Sequence, residues 1–322
     1  MDITLSSLAN RSHFSHNFGK WIRENKGSKG SEQLLSFIRV YLERFPLEEW
    51  VGRNIGDLYG LCFGLFHQFK NPPADAANVQ VFNPSLEEHG WQCGRSVIII
   101  HQKDMPFLVD SVRIALSRCE VPIYTIKSTV LRVSRSADTL ACSLSAGNDN
   151  IEGEKEALMY LEVSLQPSDE ELKHIRSQLV SGLNDVAVVV NDHQPVLEKL
   201  DVAKANLAKH FPNNSEVQEF VGWLRHRHFA FLGYRDYQLV TNGKKKELRE
   251  IVDQRLGVFR NVSTETAVVP QTEFSVGIKD FYEGDSLICF SKASTHSSVH
   301  RAVYPDYVVL KKYDDKGELC GE

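Results

Sequence analysis

The stretch Val97-Ile98-Ile99-Ile100-His101-Gln102-Lys103-Asp104-Met105-Pro106-Phe107-Leu108-Val109-Asp110 contains the change of period that decides the fold. Four successive branched apolar residues, Val97 to Ile100, fit a short strand buried on both faces. Beyond a polar break, apolar residues recur at Leu108, Val112, Ala115, Leu116 and Cys119, the spacing of one face of a helix. Pro106 suits the start of that helix, where a missing amide costs nothing, and Pro122 marks its end. A buried strand therefore feeds a helix through a short loop.

Downstream, 123–133 and 158–165 read as strands. In the second, Met159, Leu161, Val163 and Leu165 alternate with Tyr160, Glu162 and Ser164, which predicts one covered face. Ser168 with Glu171 forms a capping box, and the helix it opens carries Leu172, Ile175, Leu179, Leu183, Val186 and Val190 at helical spacing. The valine-rich run 186–190 would suit a strand locally, but the register continues through His193, Leu197 and Leu200. The order β-α-β-β-α is most of a ferredoxin-like unit, with both helices on one sheet face and the other face free to meet a partner.

The first ninety residues read as helices. Leu34, Leu35, Ile38, Tyr41, Leu42 and Phe45 share one face, and Leu58, Leu61, Cys62, Leu65, Phe66 and Phe69 repeat the pattern. Residues 71–78, with Pro72 and Pro73, break any helix and serve as a linker. Bridging helices follow over 194–227, interrupted at Phe211-Pro212 and reopened by a box at Ser215 and Gln218. An aromatic strand spans 229–239, in which Gly233 marks a bulge or a close backbone approach, and Asn242-Gly243 turns it.

Further strands are expected at 286–290 and 307–313. The turn Asp314-Asp315-Lys316-Gly317 then leads into a return strand of only five residues, so the chain is expected to be the front part of a longer protein. The fold class is α+β. A helical segment and linker (1–92) precede a ferredoxin-like module (93–190), bridging helices (191–227) and a second, incomplete α+β module (228–322).

Composition sets the outer bounds. A chain of 322 residues with 42% hydrophobic content is long enough for two cores. A formal net charge of -5 gives no global field for a nucleic-acid backbone. The longest apolar runs fall far short of the ~20 residues that span a bilayer. The N-terminus lacks a basic leader and apolar block, so a soluble, cytoplasmic protein is expected. Six cysteines without a CxxC pair read as reduced, structural thiols.

The motif search narrows the chemistry. GxGxxG after a strand, GxxxxGK[ST], HExxH and GxSxG are all absent from the sequence, removing the local supports for dinucleotide, phosphate-loop, zinc-protease and serine-hydrolase sites. His226 with His228, and His296 with His300, form pairs, short of the three or four ligands zinc requires. A freestanding metal-assisted enzyme built on them is one alternative. Lys244-Lys245-Lys246 reads as a wet loop, and the aromatic run from Trp223 to Tyr237 as core rather than a stacking surface. The loop Asp104-Met105-Pro106-Phe107 is the candidate binding site, because a helix N-terminus presents unpaired amides that favour a carboxylate such as that of an amino acid. The competing reading is that Asp104 caps the helix and Phe107 plugs the core.

With these residues in view, 97–112 resembles the opening of an ACT regulatory domain. Asp57-Leu58-Tyr59-Gly60, Trp223-Leu224, His228 through Tyr237, and Lys292 through Val299-His300-Arg301 to Tyr313 resemble the N-terminal region of the large bacterial NAD-specific glutamate dehydrogenases. The resemblance implies that 93–190 and 228–322 are ACT-like modules preceding a distant catalytic domain. That domain oxidatively deaminates L-glutamate to 2-oxoglutarate and ammonia, with NAD as acceptor. It further implies a noncatalytic regulatory and architectural role for this piece, without its own cofactor. The expected partners are the remainder of the parent chain, other copies in a homo-oligomer and an amino-acid effector, with no nucleic acid and no membrane. Effector-binding ACT domains usually carry glycine after the proline of the strand-to-helix loop, where this chain has Phe107.

Overall fold

A computed structural model describes residues 11–26, 31–50, 53–73, 76–135, 140–144, 152–242, 245–262, 268–270 and 276–322, divided between two units, Met1–Asn184 and Asp185–Glu322. The first unit begins with α1 (Arg11–Lys26), α2 (Ser31–Glu43) and α3 (Ile55–Lys70). Then come β1 (Asn78–Phe82), the single turn α4 (Leu86–His89), β2 (Ser96–Lys103) and α5 (Leu108–Arg118). The strands β3 (Ile123–Arg135), β4 (Leu140–Leu144) and β5 (Glu154–Val163) and the helix α6 (Asp169–Asn191) follow. The five strands form one antiparallel sheet in the order β1-β2-β5-β3-β4.

The sequence pattern anticipates β2, β3 and β5 and the helices between them. The capping box forms as expected: the Glu171 amide donates to Ser168 Oγ at 3.3 Å and the Ser168 amide to Glu171 Oε2 at 3.1 Å. The valine-rich 186–190 is helical. Two edge strands, however, extend the core unit. The first, β1, lies inside the 1–92 segment read as helical, where Asn78 to Phe82 pair with His101 to Val97.

A larger correction concerns the second face of the sheet. It does not await a partner. Register places Val97 and Ile99 of β2, Leu158 and Tyr160 of β5, and Leu131 and Val133 of β3 on the side opposite Ile98, Ile100 and Met159. Those six share one buried cluster with Phe14, Phe18 and Ile22 of α1, Phe37 and Tyr41 of α2, and Leu61, Leu65 and Phe69 of α3. The N-terminal helices are thus the second layer of the module, and β5 is buried on both faces from Glu156 to Val163. Alternation in β5 reports two different neighbours rather than core against solvent. On the other face, α5 packs with α6, where Gly182 faces Ala115, and Arg176 of α6 donates to the Val79 carbonyl at 2.9 Å.

The second unit takes up the last turns of α6, then α7 (His193–His210) and α8 (Ser215–Trp223). The break at Phe211-Pro212 is as expected, but Asn214 rather than Ser215 caps α8, accepting from the Val217 amide at 3.2 Å. The aromatic run is not one strand. A π-helical turn at Leu224–His228 leads into β6 (Gly233–Tyr234) and, after a break, β7 (Tyr237–Asn242), which belong to different sheets. The strands β8 (Lys245–Glu250), β9 (Leu256–Gly257) and β10 (Val268–Pro270), the helix α9 (Val276–Glu283) and the strands β11 (Ile288–Lys292), β12 (Asp306–Leu310), β13 (Lys312–Tyr313) and β14 (Leu319–Gly321) complete it.

Its main sheet has the order β10-β8-β7-β14-β13. Gly233 is indeed a close approach: a Cβ there would lie 2.7 Å from the Leu256 carbonyl. Lys245 and Lys246 belong to β8 rather than a loop, whereas Gly243 and Lys244 fall outside the described residues. At 314–317 the turn closes as read, with Gly317 at φ 83° and Asp314 Oδ1 accepting from the Lys316 and Glu318 amides.

Candidate functional site

The loop between β2 and α5 starts where the Asp104 amide donates to the Lys155 carbonyl at 2.9 Å, tying it to the neighbouring strand β5. It ends at Phe107, the N-cap of α5, whose carbonyl accepts from the Ser111 amide at 3.0 Å. Asp104 is therefore not the cap, being three residues too early. Phe107 caps by backbone alone and adopts φ 71°, ψ 1°, the left-handed region that favours glycine. Nor does its ring plug the core: Phe107 is half-buried.

Asp104, Met105 and Phe107 line a hollow of about 200 Å³, shared with Leu108, Val109 and Asp110 of the helix start and floored by Ser128, Val130, Ala157 and Met159 of the sheet. Pro106 is exposed and outside the lining. The loop predicted from sequence thus borders a concavity. The floor was not predicted, although the parity of Met159 and the small side chains of Ser128 and Ala157 beneath the helix signal it. The hollow is small, below the ~300 Å³ at which pockets for drug-sized ligands begin. Its charged groups are Asp104 and Asp110, and Asp110 in the first turn already complements the positive helix end.

Beneath the N-terminal helices lies a different chemistry, which sequence reasoning missed. Glu156 and His101 are 1% and 0% exposed, and His101 Nε2 lies 2.7 Å from Glu156 Oε2. Arg135 bridges both layers: it pairs with Glu156, with Nη2 to Oε2 at 2.7 Å, and donates to the Phe69 carbonyl at 2.8 Å. Burial works to raise the Glu156 pKa, but the bonds from Arg135 and His101 outweigh it and leave it below the ordinary glutamate value.

A second cluster centres on Glu162, which accepts from Arg53 Nη2 at 2.5 Å and from the Tyr160 hydroxyl at 2.8 Å. Its carboxyl is likewise lowered, with desolvation overcome by Arg53. Lys127, 2% exposed, pairs with Glu49, and its ammonium lies over the rings of Trp50 and Phe45 at 4.6 and 5.2 Å. Its pKa is lowered by burial, against the pull of Glu162.

His228 stacks on Trp223 at 4.7 Å, and His296 packs on Tyr304 at 4.1 Å. Among the described residues no group of three or more His, Cys, Asp or Glu side chains is arranged to hold a metal ion. The cysteines are free, and burial pushes the thiols of Cys62 and Cys142 up to about 12 and about 11. The aromatic run read as core is substantially at the surface, with Trp223 45% exposed and Phe229 half-buried. No helix among the described residues is long and apolar enough to cross a membrane.

A family described as glutamate dehydrogenase, ACT1 domain, matches residues 37–179, which take in α3, the whole five-stranded sheet and α5. Residues 37–179 are thus similar to an ACT1 domain of the glutamate dehydrogenase type. The match begins within α2, so the helical layer beneath the sheet overlaps the ACT1 region. Beyond the ACT1 domain, similarity covers most of the chain. It is 31% identical to the NAD-specific glutamate dehydrogenase of Halomonas elongata over 294 residues, 89% of this chain and 18% of the relative. It is 30% identical to the enzyme of the same name from Pseudomonas aeruginosa over 328 residues, 98% of this chain and 20% of the relative. The chain spans about a fifth of the length of these relatives. Similarity consistent with an N-terminal region of the NAD-specific glutamate dehydrogenases thus extends through both units.

Proposed function

We propose that this chain is a noncatalytic regulatory and architectural segment of a large NAD-dependent glutamate dehydrogenase. The other parts of that protein would carry out oxidative deamination of L-glutamate, with NAD as hydride acceptor. The observation that carries the reading is the ACT1 domain itself: an antiparallel sheet with α5 and α6 on one face, within a chain similar almost throughout to proteins five times its length. The mixed strands and helix of 228–322 support a second module of the same regulatory class. The segment acts in the cytoplasm, within a homo-oligomer of the parent chain. The test is a spectrophotometric assay of the purified chain for glutamate-dependent NAD reduction. No turnover is expected; turnover abolished by a substitution within these residues overturns the reading.

A second reading has its own observation in the hollow beside Asp104, Met105 and Phe107. The ACT1 module takes up a small amino acid there, with Ser128 and the start of α5 meeting its polar end and Val130 and Met159 its side chain. Titration calorimetry against the twenty common amino acids is the measurement. Heat that disappears in Met159→Trp, which fills the hollow, supports the reading, and no heat for any of them removes it.

A further inference from the structure

The layer formed by α1, α2 and α3 meets the sheet through a boundary unlike an ordinary core. Its apolar contacts are broken by charges that each cross from one layer to the other: Arg53 to Glu162, Glu49 to Lys127, and Arg135 to the carbonyls of Phe69 and Lys70. Gln68 of α3 donates to the Ile99 carbonyl at 3.3 Å, across the same boundary. Buried pairs of this kind select one geometry but stabilise it less than apolar packing of the same volume.

Several polar atoms at the boundary are moreover buried with no hydrogen-bond partner among the described residues: Trp50 Nε1 and Gln68 Oε1 on the helix side, His101 Nδ1 and Thr129 Oγ1 on the sheet side. Folded interiors leave few such atoms, and each regains water when the layers part. The sheet does not depend on the helices for its hydrogen bonds, because all five strands pair with one another and α5 and α6 hold the opposite face. A single chain crossing, from Lys70 through Pro72 and Pro73 to β1, connects the two layers, so separation need unpair no strand.

We infer that α1, α2 and α3 form a cover that lifts from the sheet as one body while the sheet remains folded, baring the face of Val97, Ile99, Leu131, Val133, Leu158 and Tyr160. This goes beyond the proposed function and is independent of it. The covered state is the resting one, since lifting the cover exposes the six apolar side chains just named to water. Local opening of this kind is measured by amide exchange against the exchange of the strands beneath.

The experiment is hydrogen–deuterium exchange with mass spectrometry on the whole 322-residue chain, with β7 and β8 of the second unit as internal reference. Amides of α1, α2 and α3 are expected to exchange together, at least about tenfold faster than those of β2, β3 and β5. Thr129→Val removes one stranded hydroxyl without changing the shape of the side chain. It is expected to slow exchange of the three helices about tenfold, the ratio that corresponds to restoring one such buried group. Gln68→Met is a second variant acting on the other side of the boundary. Helices and central strands exchanging at one common rate overturn the inference. So does piecemeal loss of the helices one after another, or helix exchange unchanged in both variants.

Discussion

Replacing Phe107 in parallel by glycine and by alanine isolates the backbone of the β2–α5 loop. Phe107 holds φ 71°, ψ 1°. A side chain at such a position crowds its own carbonyl at a cost of about 1–2 kcal/mol, which glycine escapes. Both variants lose the half-buried ring, worth about 1 kcal/mol against the 1.5–3 kcal/mol of a fully buried phenylalanine, so that loss cancels between them. What remains is relief of strain, offset by the greater freedom of glycine in the unfolded chain, about 0.4–1 kcal/mol. The glycine variant is therefore expected to be more stable than the alanine variant by about 0.5–1 kcal/mol, the reverse of the order inside a helix.

Urea unfolding in a Trp223→Phe background measures this, because Trp21, Trp50 and Trp91 all lie in the first unit and report on it alone. The midpoints are compared at equal slope. An alanine variant as stable as the glycine variant, or more so, would refute the left-handed cap and with it the account of how the hollow is shaped.

The other predictions concern the same unit. Glu120, at φ 56°, closes α5 in a Schellman arrangement, with Val121 donating to the Leu116 carbonyl and Glu120 to that of Ser117. Glu120→Gly should raise stability by about 1 kcal/mol in urea unfolding. Glu162→Gln strands Arg53 and should cost about 2–3 kcal/mol at neutral pH, less than the ~3–5 kcal/mol of a fully buried pair because 26% of the Arg53 side chain remains exposed.

The pH dependence has a definite sign. Glu156 and Glu162 both titrate below the ordinary glutamate value in the folded chain, so on acidification the unfolded chain takes up protons first. Their contribution is complete above the ordinary glutamate range and is lost as the pH falls through the depressed folded values. A Tm profile of Glu162→Gln flatter than that of the parent chain in this range is the expected result. Gly60→Ala should destabilise by about 1–3 kcal/mol, despite the better helix propensity of alanine, because its Cβ would lie 2.4 Å from the Trp91 ring. Thermal unfolding reads it directly.

The positions at which reading and structure part company share a cause. Periodicity in α2 and α3 showed which residues are buried, and Tyr41, Leu61 and Phe69 are indeed in the core. It carried no information on what buries them, so the helices were read as a separate segment and the sheet as open on one side. The loop at 104–107 was legible as a strand-to-helix joint bordering a possible site. Its cap was not, because a left-handed phenylalanine contradicts local preference and persists only where its surroundings determine it. The aromatic run after Trp223 misled for the same reason in reverse: ring-rich sequence favours strand cores on average, and here a π-turn brings Trp223 and His228 to the surface.

Local patterning alone thus determined the alternation of strand and helix, the capping box at Ser168, the turn at Asp314 and the ACT-like character of 97–112, since each depends on residues within a few positions of one another. Only the tertiary structure decided that the N-terminal helices close the sheet's second face and that Glu156, Glu162 and Lys127 are sealed beneath them with ionic partners from 21 to 109 residues away. Contacts at that separation depend on which surfaces meet when the chain folds. An amphipathic pattern states that a surface must be covered, and leaves its counterpart to packing.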